Sequence, residues 1–285
     1  MKGPVSQQLS VGNRLRCLLQ ALQAEFGWSQ ESLNPAVVDK KLARWAASRG
    51  IDLQELVAAA LGHDSVRPTL WELAGALSVN ETYFFRGRHQ LEWVVREAVP
   101  ERLRSRNRAV LWSAGCSSGE EVYSLLFLAA EEGTGSGEEV FEKMVVFGTD
   151  VDECALERAQ QGVYSERSFT FRATDRAVLK RFFEPLGGGL HRVKEEYRGR
   201  AFFVRDNLAG AESPFLPGTV DVCLCRNVLY YMTADGRRKA LRKIARALAA
   251  GGYLLLGERE VVEEQPELGL QLLNSGGVTV LRKGG

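Results

Sequence analysis

The sequence predicts an α/β protein in which an all-α N-terminal domain precedes a mostly parallel sheet covered by helices on both faces. Two observations carry this. Up to about residue 108, apolar residues recur at helical spacing with no β-type alternation; from Ala109 onward, short apolar runs alternate with amphipathic helical segments. That rhythm builds parallel sheet, because a strand that re-enters beside its neighbour in the same direction needs a crossover. The length of 285 residues, 45% hydrophobic and 26% charged, is ordinary globular material, enough for about two domains.

In chain order, Val11 to Phe26 carries apolar residues at helical spacing. Pro35 opens a second helix, as proline does at a first turn. On it Val38, Leu42 and Trp45 share one face and Lys40, Lys41 and Arg44 the opposite one. Leu53 to Leu61 and Thr69 to Leu77 read as two more short helices, and the Arg-rich stretch Arg96 to Arg108 as a linker or a last helix. Ala109 to Ala114 is the first strand and Glu120 to Glu131 a largely apolar helix. Gly133 to Glu139 reads as a loop, Met144 to Thr149 as a strand and Glu153 to Gln161 as a helix. Ala201 to Val204, Val220 to Cys225, Tyr253 to Leu256 and Val278 to Leu281 are further strands. Arg237 to Ala249 is a helix closed by Gly251-Gly252.

Composition excludes several functions. Net charge is +1, with the excess of basic residues confined to the first 108 positions, so no global footprint for nucleic acid exists. The longest uncharged run, Leu268 to Leu281, is too short and too polar to span a bilayer. Met1 to Arg16 has no signal-peptide core. Five dispersed cysteines fit reduced thiols and a cytoplasmic location. Cys223 and Cys225 fall in an apolar run and read as buried strand residues rather than metal ligands.

Two local patterns point to a ligand. In Val110 to Ser124, a strand runs into a loop with Gly115 and Gly119 and then into a helix, the crevice where doubly wound sheets bind ligands. The G-x-x-x-G spacing is neither a dinucleotide fingerprint nor a P-loop. Glu120 and Glu121 oppose a pyrophosphate and suit a ligand with a cationic end. Asp150 then ends the next strand, where a carboxylate accepts ribose hydroxyls. It also reads as a helix N-cap, for which Asp152 is the better candidate. Together these favour a nucleoside ligand without a phosphate tail, and S-adenosylmethionine fits.

The resemblance becomes specific in ordered motifs. Trp112 to Ser124 (W-S-A-G-C-S-S-G-E-E-V-Y-S) resembles the cofactor motif of the CheR family of chemotaxis receptor glutamate methyltransferases. Asn80 to Arg86 (N-E-T-Y-F-F-R), with His89 three residues on, resembles that family's N-x-T-x-F-F-R segment. Gly148 to Asp152 with Ala159, Gly162 and Tyr164, the pair Asn207-Leu208, Cys225 to Tyr231 (C-R-N-V-L-Y-Y) and Leu248 to Gly257 resemble its later motifs, in the family's order.

The resemblance implies a Rossmann-like class I methyltransferase domain with a small β insertion at about residues 184–204. The domain would occupy residues 109–285, after a helical domain at 1–78 and a cofactor-contacting linker at 79–108. It implies methyl transfer from S-adenosylmethionine, with S-adenosylhomocysteine as product, to glutamate carboxylates on the cytoplasmic methylation helices of chemoreceptors. Asn80, Thr82, Arg86, Glu120, Asp150, Asn207, Leu208, Arg226 and Asn227 would line the cofactor, and Arg86 and Tyr231 would lie nearest the transferred methyl. A monomer is expected, with no metal. The basic face of the second helix would dock an acidic receptor segment. Other open readings are the same cofactor with another signalling protein as acceptor, and a cofactor-binding relative without turnover. The chain departs from the family in Glu258, where a histidine is usual, and in Gly187-Gly188-Gly189 within the insertion.

Overall fold

The structure is a computed structural model and describes residues 11–29, 31, 35–50, 66–132, 136–261 and 263–285. Three helices come first: α1 (Val11–Phe26), α2 (Pro35–Arg49) and α3 (Val66–Leu77). They bury Leu18, Leu22 and Phe26 of α1 against Leu42 and Ala46 of α2 and Leu73 and Ala74 of α3. This is the apolar stripe expected of amphipathic helices. The helix expected over Leu53–Leu61 lies outside the described residues. The stretch expected as a linker or a last helix is helical as far as Leu103: α4 (Arg88–Trp93) continues through a π-helical turn (Val94–Ala98) into α5 (Val99–Leu103). Pro100, with no N–H for the helical ladder, lies two residues beyond that turn.

The main sheet has seven strands. They are β1 (Ala109–Ala114), β2 (Met144–Asp150), β6 (Ala201–Arg205), β7 (Val220–Cys225), β8 (Leu248–Leu256), β9 (Leu270–Ser275) and β10 (Val278–Lys283), in the order β6-β2-β1-β7-β8-β10-β9. The first five are mutually parallel, and β10 is antiparallel to both β8 and β9. Strand alternation sends Leu111, Val222, Leu224 and Leu255 to one face, under α6 (Glu120–Glu131). Trp112, Cys223, Cys225 and Leu254 go to the other, under α11 (Ala234–Ala247). Cys223 and Cys225 are thus buried strand residues, as their apolar run predicts.

A second, three-stranded sheet pairs β3 (Val163–Ser165), β5 (Leu190–Val193) and β4 (Phe183–Gly187). It begins at Val163, ahead of the 184–204 expected for the insertion, and Ala201–Arg205 belongs to the main sheet. A three-residue strand carries no readable alternation, so this start has no sequence signal. Three further helices join the frame: α7 (Ser136–Lys143), α8 (Glu153–Gln161) and α9 (Arg176–Phe182), with the single turn α10 (Glu195–Arg198) before β6. Ser136–Lys143 replaces most of the expected loop. Helix α11 ends at Ala247 and passes directly into β8, so Gly251 and Gly252 lie within a strand rather than closing a helix. Among the described residues no helix is long and apolar enough to cross a membrane.

Candidate active site

The carboxyl ends of β1, β2 and β7 open onto one cleft, at the point where the crossovers diverge from β1. The loop after β1 is tight. Gly115 has φ +79, and a Cβ there would meet Val228 Cγ2 at 2.5 Å. Ser117 also has positive φ, a conformation that persists only where surroundings enforce it. Here the end of β2 enforces it. Gly115 N–H and Cys116 N–H donate to the Thr149 carbonyl at 2.7 and 2.9 Å, and Ser117 N–H donates to Asp150 Oδ2 at 2.8 Å. These amides are spent on the protein, so the loop does not form the row of free N–H groups that cradles a phosphate.

Asp150 sits at the tip of β2, with Oδ1 accepting the Asp152 N–H at 3.0 Å. Burial pushes its carboxyl up to about 6, against the pull of the backbone donors. The capping role belongs to Asp152, whose side chain accepts from Cys154 and Ala155 N–H at the start of α8. Asp150 is left with lone pairs facing the cleft that it lines.

A second wall is the segment Asn80 to Arg86. Asn80 Nδ2 donates to Asp152 Oδ2 at 2.5 Å. Phe84 is fully buried among Phe127, Tyr164, Phe171 and Phe183, with ring centroids 4.9–5.8 Å away. Phe85 N–H donates to Ser124 Oγ at 2.9 Å. The two phenylalanines fasten the segment to α6 and the small sheet, which turns Asn80, Thr82 and Arg86 toward the cleft. Arg86 donates from Nη1 to the Glu81 carbonyl at 2.6 Å.

The third wall follows β7. Arg226 donates to Gln90 Oε1, to the Arg86 carbonyl and to Glu121 Oε2 at 2.7–2.8 Å. It is a buried clamp joining three segments. Asn227, at φ +62, and Tyr231 line the cleft beyond it. The fourth wall follows β6. Asn207 Nδ2 donates to the Glu25 carbonyl at 2.7 Å, tying α1 to the rim. Phe26 and Trp28 also line the cleft, and Trp28 forms a β-bridge with Met232.

Every expected site residue lines this cleft except Glu120. The Glu120 carboxylate is buried, accepts from Ser118 Oγ at 2.8 and 3.0 Å and lies 3.2 Å from Thr170 Oγ1. Burial raises its pKa. Position 121 carries the cleft-lining glutamate instead, held by Ser113 Oγ at 2.6 Å and by Arg226. The adjacent pair Glu120-Glu121 offers no sequence cue to which one faces inward, since the helix phase is set by the loop. Two residues went unnoticed in the sequence. Asp206 Oδ1 pairs with the buried Lys243 ammonium at 2.8 Å, while its Oδ2 is buried with no partner among the described residues. The Ser117 Oγ is likewise buried and unpartnered. Both residues line the cleft. The sequence signals for them are position alone: Ser117 sits inside the loop motif Trp112 to Ser124, and Asp206 directly precedes Asn207-Leu208.

Residues 80–274 match the SAM-binding domain of CheR methyltransferase. The chain belongs to the CheR methyltransferase family. It is 33% identical over 193 residues to chemotaxis protein methyltransferase 2 of Vibrio cholerae, covering 67% of this chain and 65% of that protein. It is 32% identical to chemotaxis protein methyltransferase Cher2 of Pseudomonas putida, covering 69% and 71% of the two chains. With chemotaxis protein methyltransferase 1 of Pseudomonas aeruginosa it shares 34% identity over 67% and 70%. The chain thus spans about two thirds of the length of the curated relatives it matches.

The residues of this CheR-family cleft fit S-adenosylmethionine by their chemistry. A buried carboxylate with free lone pairs suits a ribose, and Glu121 with the orphaned Asp206 oxygen suits amino groups. Val151, Leu208 and Val228 offer an apolar wall to a purine. The amides spent on Thr149 and Asp150 suit a cofactor that brings no phosphate.

Proposed function

We propose that the chain transfers a methyl group from S-adenosylmethionine to glutamate side-chain carboxylates of chemoreceptors, as a cytoplasmic enzyme of sensory adaptation. The observation that carries this reading is the convergence of Asn80, Thr82, Arg86, Asp150, Asn207, Leu208, Arg226, Asn227 and Tyr231 from four separate segments on one cleft. Membership of the CheR family and the names of its relatives support the same reading.

When bound, S-adenosylmethionine supplies a methyl group activated by its sulfonium. The chain's own work is to orient and desolvate. A glutamate is already ionised at neutral pH, with an ordinary pKa near 4.3, so the acceptor needs no general base. Asp150, at the carboxyl end of β2, would hold the ribose of the cofactor. Arg86, which lines the same cleft as Tyr231, orients the incoming carboxylate. Tyr231 donates a hydrogen bond to the acceptor oxygen that is not attacking. Phe26 and Trp28 exclude water from the other side. Orientation and water exclusion of this kind lower the barrier to an in-line displacement.

The test is transfer of labelled methyl to receptor-containing membranes of the source cell, counted as methanol released in mild alkali. Alkali-labile label on a receptor-sized band is expected. Absence of label, from folded protein that binds S-adenosylhomocysteine, would reject the receptor as acceptor.

A further inference from the structure

Glu260 lies outside the cleft, four residues beyond the end of β8, and is 9% exposed. Its carboxylate gathers the backbone of the cleft-lining segment. Oε2 accepts the N–H groups of Asn227 at 2.9 Å and Gly257 at 2.7 Å. Oε1 accepts those of Val228 at 2.9 Å and Leu229 at 2.7 Å, with Tyr230 N–H more distant at 3.4 Å. One side chain therefore satisfies the successive amides of residues 227–229. These amides span the reversal from β7, through the left-handed residue Asn227, into the 3₁₀ turn Leu229–Tyr231. No side chain within that turn caps it.

A left-handed asparagine followed by a short turn is not self-sustaining. Charge-assisted hydrogen bonds from backbone N–H groups to a fixed carboxylate are among the strong ones, and buried N–H groups left without a partner are costly. Neighbouring geometry leaves little slack. A Cβ on Gly257 would stand 2.8 Å from both Asn227 N and Asn227 Nδ2. The end of β8 is thus pressed against Asn227, and Glu260 turns back from it to hold the same residue.

We propose that Glu260 is a positioning residue: its carboxylate sets the backbone of residues 227–230 and thereby the placement of Asn227 against the cofactor and of Tyr231 at the methyl. This rests on the reading of the cleft as an S-adenosylmethionine site. Glutamine is the discriminating substitution. It keeps the length of the side chain but turns one of the two oxygens into a donor facing backbone N–H groups, whichever way the amide is rotated.

Affinity for S-adenosylhomocysteine, measured by calorimetric titration, needs no receptor. Glu260→Gln is expected to weaken binding about tenfold, with thermal melting used to correct for the folded fraction. Asn227→Ala is expected to cost a similar factor. The double variant is expected to lose little more than either single change, because both act through one group. Wild-type affinity in folded Glu260→Gln, or losses that multiply in the double variant, would overturn the proposal. Gly257→Ala provides a second route should Glu260→Gln not fold. Its Cβ presses on Asn227 and, at 3.0 Å, on Glu260 Oε2, so it disturbs the same contact without removing the carboxylate, and the same coupled loss with Asn227→Ala is expected; independence would overturn the proposal. Wild-type protein that fails to bind S-adenosylhomocysteine would instead reject the cofactor reading, so the two failures are distinguishable.

Discussion

Glu121 Oε2 accepts a hydrogen bond from Arg226 Nη1 at 2.8 Å, joining the first turn of α6 to the end of β7 across the floor of the cleft. The guanidinium is 4% exposed and the carboxylate side chain 16%. Two charges this sheltered hold a site in register, but each depends on the other. Removing one leaves its partner buried and uncompensated, at a cost of about 3–5 kcal/mol.

Glu121→Gln is therefore expected to weaken S-adenosylhomocysteine binding at least tenfold and to lower the melting temperature. Glu120→Gln replaces a carboxylate that faces Ser118 and Thr170, and is expected to change affinity by less than threefold. The two titrations side by side decide which glutamate of the pair serves the ligand.

Asp150 makes cofactor binding depend on pH. Its carboxyl is pushed up to about 6 by burial, and a protonated acid is a poorer acceptor for ribose hydroxyls. Affinity for S-adenosylhomocysteine is expected to fall as pH drops through about 6. The stability of the ligand-free protein moves the other way. The folded value lies above the unfolded one, near 3.9, so this group's contribution is fully present below about pH 4 and is lost as pH rises through about 6. Asp150→Asn is expected to remove both trends. Asp150→Ala is expected to weaken binding by about 1–3 kcal/mol, and unchanged affinity would reject the ribose role.

The basic face of α2 divides into two kinds of residue. Lys41 Nζ donates to the Leu77 and Ser78 carbonyls at 3.0 and 2.7 Å, where a cation at a helix C-terminus is favourable. Burial lowers its pKa. Lys40 and Arg44 remain exposed. Lys41→Ala is expected to cost about 1–2 kcal/mol of stability. Charge reversal at Lys40 and Arg44 is expected to leave the melting temperature unchanged and to reduce receptor methylation and its dependence on salt. Unaltered methylation and salt dependence would rule out docking through this face.

Phe84→Ala is expected to destabilise the protein by about 3–5 kcal/mol, since the ring is fully buried among four other aromatic rings. The same change loosens the segment bearing Asn80 and Thr82. Its S-adenosylhomocysteine affinity is expected to drop even at temperatures where the variant is folded; equal affinity would show that the segment is held by other contacts.

Much of the frame could be read from the residues alone. Ala109 to Ala114, Glu120 to Glu131, Glu153 to Gln161 and Val220 to Cys225 have the bounds that their apolar patterns and flanking glycines predict. What escaped is physically of one kind. β3 is three residues long and β9 is mostly solvent-facing, so neither carries an alternation. The passage from α11 into β8 has no loop between helix and strand, and Gly251-Gly252 mimics a stop signal there. Within the site, ordered motifs located Asp150, Arg226 and Asn227. They did not reveal that Arg226 and Asn207 spend donors on the protein, nor that Asp206 keeps an oxygen bare. Those facts depend on which neighbour arrives from a distant part of the chain.

Because Phe26 and Trp28 close one side of the cleft and Trp28 bridges to Met232, the first helix cannot swing away without breaching the cofactor's enclosure. Occupancy and local opening of that helix are then mutually exclusive events. At a cofactor concentration 100 times Kd, this linkage adds about 2.7 kcal/mol to the free energy of opening. Amide protons at the end of α1 would exchange roughly a hundredfold more slowly, and the helical domain would report whether the enzyme is loaded.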